Sequence, residues 1–88
     1  MGEYWKPVNM TQREFIHPHH VGDGLKLAEW YGYESAVVKV MRERWPADDD
    51  VRAISDYGGQ MRLSGSGDAP WPEYDDLDGD EFAEVRHG

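Results

Sequence analysis

The stretch Tyr4–Pro18, YWKPVNMTQREFIHP, decides how this chain folds. Tyr4 to Val8 is aromatic and β-branched, Asn9 to Gln12 is polar turn chemistry, and "EFIH" resumes an extended pattern before Pro18. A proline disfavours helix at the residue before it, so His17 belongs to extended chain. Read this way, the segment is a β-hairpin. Pro7 lacks an N–H, so the first run is expected at a sheet edge or at its own end.

Moving outward, Asp23 lies between Gly22 and Gly24 as a loop or helix entry; in "LKLAEWY" (25–31) Leu25 and Ala28 suit a helix and Leu25 and Leu27 a strand, and a short helix is the preferred reading. The clearest helical signal is "ESAVVKVMRERW" (34–45). Val37, Met41 and Trp45 recur every four residues with Val38 beside them, giving one apolar stripe, while Lys39, Arg42, Glu43 and Arg44 lie mostly elsewhere. Ser35 suits the N-cap and Pro46 stops the helix. "VRAIS" (51–55) alternates Val51, Ala53 and Ser55 against Arg52 and Ile54, as a strand does, and "DYGG" closes it. "QMRLS" (60–64) pairs back on it. The expected fold is a small α+β domain over 1–64, with an N-terminal β-hairpin and one or two further strands packed on one main helix at about 35–45.

From Gly65 the composition changes to GSGDAPWPEYDDLDGDEFAEVRHG, rich in glycine, proline and acid with isolated aromatics. Residues 65–88 are expected to form a linker and tail, docked or flexible, with little apolar content for a core. Removing residues 66–88 is then expected to leave a folded domain.

Charge is divided along the chain. Residues 1–45 balance six acids with six bases, whereas the remainder sets twelve acids against Arg52, Arg62 and Arg86, and so carries the whole net charge of −9. Such a surface repels phosphate backbones and attracts basic partners, which argues against direct nucleic-acid binding. The absence of cysteine removes disulfides, thiolate metal sites and thiol nucleophiles. No apolar run approaches the roughly 20 residues that span a bilayer. The opening MGEYWKPVN reads as mature protein, and Lys6 stands where a myristoylation signal needs Ser or Thr. A cytoplasmic protein without membrane attachment is expected.

Three stretches, MGEYWKPVN (1–9), EFIHPHHVGDGLKLAEW (14–30) and ADDDVRAISDYGG (47–59), resemble a group of small uncharacterised proteins encoded by bacteriophages and bacteria. The resemblance covers about half of the chain. It implies a phage or mobile-element origin and brings no activity with it, and the acidic segment lies outside it.

Two sets of residues carry the candidate chemistry. His17, His19 and His20 with Asp23 form an HPHH-x-x-D cluster, a candidate for zinc or another divalent metal because imidazoles and a carboxylate are suitable ligands. In extended chain His17 and His19 share a face and His20 takes the other, and no second ligand cluster stands out, so the plainer reading is a packed corner. The run YDDLDGDEF (74–82) approaches a calcium loop, but Tyr74 and Val85 then occupy its first and last ligand positions. Its acids read as solvated. "SGSGD" lacks a phosphate-loop lysine, and the neighbouring carboxylates are not held apart as acid–base pairs need, so no enzyme activity is expected.

The second set is Trp71, Tyr74, Asp75, Asp76, Asp78, Asp80 and Glu81. Aromatic anchors ringed by charge have the composition of a binding hot spot, although Trp71 can equally pin the segment to its own domain. The expected function is a non-enzymatic interaction module, phage-encoded, that binds a basic-surfaced bacterial host protein through this acidic, aromatic surface. The alternatives are a small metal-binding protein built on the histidine cluster, and a structural homo-oligomer whose surplus aromatics meet across a symmetric interface.

Overall fold

The computed structural model describes residues 2–79 and 81–86. Five strands, β1 (Trp5–Asn9), β2 (Glu14–Phe15), β3 (Val51–Ser55), β4 (Gln60–Ser64) and β5 (Ala83–Glu84), form one mixed sheet in the order β4-β3-β1-β2-β5. All pairs are antiparallel except β2 with β5. Two helices, α1 (Leu27–Trp30) and α2 (Ala36–Arg44), cover one face. The fold is α+β, with the hairpin, the main helix and the β3–β4 pair where the hydrophobic pattern puts them. None of the helices among the described residues is long and apolar enough to cross a membrane.

Pro7 departs from expectation because β1 is the central strand. Met10 N–H donates to the Asp50 carbonyl and Asp56 N–H to that of Tyr4, so even-numbered residues of β1 hold the β3 ladder. Pro7 therefore turns its nitrogen away from β3, toward the place where β2 ends. Its carbonyl still accepts from Ile16 N–H. The missing donor therefore costs one bond at the end of the β1–β2 pairing and none of the β1–β3 ladder.

Strand alternation builds two cores. On the helix side Ile16, Trp30, Val37, Val40, Trp45, Val51 and Ala53 pack with Val85. Val40 rather than Val38 completes the buried stripe of α2, and Ser35 Oγ accepts from Val38 N–H as the N-cap. On the other face Val8, Phe15 and Ile54 pack against Leu77 and Phe82. Every residue of β3 is buried because both of its faces are covered.

The second cover is the acid-rich segment, which is docked rather than flexible and adds more to the core than its composition suggests. Residues 66–79, with 81 and 82, form a strap across the far face of the sheet, with a 3-10 turn at Tyr74–Asp78, and β5 then adds a strand beside β2. Leu77, Phe82 and Val85 are all buried. Single apolar residues spaced among acids suffice because each enters a cavity already walled by the sheet. Removing 66–88 would strip both cores, so a folded remainder is no longer expected.

Aromatic rings and cations hold the strap. The far face of the sheet carries Lys6, Arg52 and Arg62 among its apolar residues. Arg52 is fully buried and forms a two-pronged bond to Asp50 (3.0 and 2.8 Å), and Arg62 reaches the same carboxylate. Their remaining N–H groups donate to the Ala69 and Gly67 carbonyls, which pins the glycine-rich stretch read as a linker. Trp71 lies over the Arg52 guanidinium at 4.6 Å, Tyr74 over Lys6 Nζ at 4.2 Å, and Phe82 over Arg13 at 4.6 Å. Such contacts strengthen as water is excluded, to about 2 kcal/mol when desolvated. The arginines beside Asp50 hold its carboxyl below the usual range, the Arg52 hydrogen bond contributing most.

Candidate functional site

The β3–β4 turn and the strap together enclose a groove of about 370 Å³. The turn is fixed from within: Ser55 Oγ donates to Glu3 and accepts from Gly59 N–H (2.7 Å) and Tyr57 N–H (3.2 Å). Gly58 takes a left-handed φ of 85°, which a side chain would resist. On the opposite wall stand Trp71, Pro72, Glu73, Tyr74 and Asp75. Three carboxylates, Asp56, Glu73 and Asp75, line this groove, and among the described lining residues there is no base. Asp56 is oriented by Tyr4 N–H, which donates to its Oδ1 at 3.0 Å.

Trp71 and Pro72 form a ridge between this groove and a smaller one of about 270 Å³, where Asp76, Glu81 and Arg13 meet Met10 and Phe82. The Arg13–Glu81 pair (2.9 Å) is solvent-exposed and of the kind that contributes little to stability.

The structure thus gathers Trp71, Tyr74 and Asp75 on one groove and Trp71, Asp76 and Glu81 on the next. Asp80 lies outside the described residues, as does the Asp78 side chain. Sequence reasoning missed Asp56 and Glu73. Asp56 belongs to the DYGG turn, and only the strap's passage across the sheet brings it to Glu73, so no local pattern announces the pair.

The histidine corner is built for packing. Pro18–Val21 is a 3-10 turn ended by Gly22 at φ 101°. His17 and His20 lie face to face with ring centroids 3.9 Å apart, and His19 stands 6.5 Å from His17 at an edge-on angle. His20 Nδ1 meets Glu84 of β5 at 2.5 Å. Burial alone would raise the Glu84 carboxyl, but hydrogen bonds from His20 and Arg86 outweigh it and hold the group below its ordinary range.

Asp23 is engaged by the start of α2. Its carboxylate accepts from Val37 N–H (2.8 Å) and Ala36 N–H (3.4 Å), so it caps α2 together with Ser35. Among the described residues no three His, Cys, Asp or Glu side chains converge as a metal shell.

No family model, curated protein or solved structure matches this chain.

Proposed function

We propose that this chain is a non-enzymatic interaction module whose acidic groove receives lysine or arginine side chains from a basic surface of a partner protein. The observation that carries this reading is the convergence of Asp56, Glu73 and Asp75 on a groove walled by Trp71 and Tyr74, with no base among its described lining residues. A cationic side chain entering there meets carboxylates at the rim and ring edges along the wall. The chemistry is the one the strap uses internally on Arg52 and Lys6, with the charges facing outward. A net charge of −9 adds long-range attraction for a basic partner and repulsion for nucleic acid. The resemblance of stretches 1–9, 14–30 and 47–59 to small proteins of bacteriophages and bacteria favours a bacterial host protein in the cytoplasm, at a surface that otherwise holds nucleic acid.

The test is titration of the full chain with a short capped lysine- and arginine-rich peptide, read by tryptophan fluorescence at low and high salt. Affinity should fall as salt rises, since exposed charges are screened within roughly 10 Å at 0.1 M. A Glu73→Gln/Asp75→Asn variant should bind weakly at both salt concentrations, while Asp48→Asn, an exposed position outside the groove, should bind as the parent does. Binding that ignores both salt and the double substitution sinks the proposal.

A further inference from the structure

A second large groove, of about 490 Å³, lies on the helix side of the sheet. Val38, Met41, Trp45 and Leu63 form its apolar surface, Tyr31 stands at its rim, and Arg42 is the one charged residue among the described lining residues. Its charge is opposite to that of the acidic groove. Beside it runs β4, the outer strand of the sheet: β4 pairs with β3, and no strand among the described residues pairs with its other side.

Outer strands present unpaired N–H and C=O groups, and proteins usually blunt them with charges or prolines. Here the only charged residue of β4 is Arg62, and its guanidinium is folded back to Asp50 and the Gly67 carbonyl instead of guarding the edge. Met61 and Leu63 face the helix-side core. A strand added to β4 would continue that face, and its alternate side chains, two residues apart, would drop into the groove.

We infer that β4 and this groove form a docking surface for an extended segment of a partner protein, with apolar residues toward Met41 and Leu63 and a carboxylate beside Arg42. The occupant's backbone is set by the open edge, its alternating apolar side chains by the groove, and its charge by Arg42. A second copy of this chain fits poorly. It would bring −9 against −9, and its own edge strand, QMRLS, offers no carboxylate to Arg42. The surface lies on the other side of the sheet from the strap, so this inference stands or falls independently of the acidic groove.

The test uses the full chain, isotope-labelled, and a short capped peptide with threonine at every second position, the positions between carrying valines and one glutamate so that apolar groups and the carboxylate share the helix-side face. Addition should shift the amides of Gln60–Ser64 and of Val38 to Arg42. The same peptide with lysine in place of its one glutamate should bind roughly fivefold to tenfold more weakly, the scale of one exposed charge pair turned from attraction to repulsion. Arg42→Glu, at an exposed position, should reverse the preference. Shifts confined to the strap, equal binding of both peptides, or no binding overturns the inference. So does light scattering that shows a dimer whose formation shifts the same β4 amides, since the edge would then belong to a second copy.

Discussion

Leu77 is the sharpest probe of whether the acid-rich segment belongs to the fold. It is fully buried and packs among Val8, Phe15, Ile54 and Phe82. Leu77→Ala removes three carbons, worth about 2.4 kcal/mol at roughly 0.8 kcal/mol for each buried methylene. The cavity left behind adds to this, because β1 and β3 cannot collapse into it without breaking their ladder. A total loss of about 3–4 kcal/mol is expected, within the range of fully buried leucine truncations. A domain of 88 residues has a total stability of roughly 4–13 kcal/mol, so the loss is a large share of it.

The assay is urea unfolding followed by tryptophan fluorescence and by circular dichroism. With a slope of about 1 kcal/mol per molar urea, the midpoint should fall by roughly 3 M, and the two probes should move together. Asp75→Asn, three positions before the end of the same 3-10 turn and exposed, should change stability by less than about 0.5 kcal/mol. If Leu77→Ala also costs less than about 1 kcal/mol with an unchanged slope, Leu77 does not seat a core and the strap is a tail.

Two further outcomes are expected from named contacts. Asp23→Ala should cost about 1 kcal/mol, as loss of a helix cap does, and should speed hydrogen exchange at Ala36 and Val37; Asp23→Asn should retain most of the stability, and equal exchange rates in all three proteins would dismiss the cap. The carboxyls of Glu14, Asp50 and Glu84 are all held below their ordinary values of 4.5, 3.8 and 4.5, Glu14 chiefly by its hydrogen bond from Arg44. Their stabilising contribution is therefore present above those ordinary values and lost as pH falls through the lower folded ones, so the melting temperature should drop below about pH 4.5 and these groups should cause no drop between about pH 5 and 7. Glu14→Gln should flatten the acid limb, and an unchanged limb would remove Glu14 from the account.

The hairpin, α2 and the β3–β4 pair were legible because each has a local signature: a polar turn between β-branched runs, apolar residues every three or four positions, and strict alternation closed by DYGG. The strap and β5 have none. Leu77, Phe82 and Val85 are single apolar residues in an acidic background, and a parallel pairing of two residues with β2 across nearly seventy positions leaves no pattern at either end. Lys6 and Arg52 misled differently. Their alternation with Val8 and Ile54 was visible, but charged positions on a strand are ordinarily solvent-facing, and the burial of Arg52 is made tolerable by the Asp50 carboxylate together with a ring and carbonyls supplied by the strap. At the corner, HPHH drew attention by composition, whereas the residue with the plainest structural task was Asp23, whose partners lie thirteen and fourteen positions on.

The acidic groove exists because of how the strap's attachment is divided between chemistries. Had Glu73 and Asp75 been used to neutralise the two arginines beneath Trp71, the groove would have lost much of its negative charge. Instead Arg52 and Arg62 share the Asp50 carboxylate, which comes from the neighbouring end of β3, and their remaining donors go to backbone carbonyls and their faces to the indole. The strap is thus held without consuming these carboxylates. For the same reason Trp71 is a poor residue with which to test binding. Its removal would uncover Arg52, release the strap and distort the groove together, so lost binding would say nothing about the partner. Among the described residues no hydrogen bond or ion pair of the Glu73 or Asp75 side chain seats the strap, so their neutralisation separates recognition from folding.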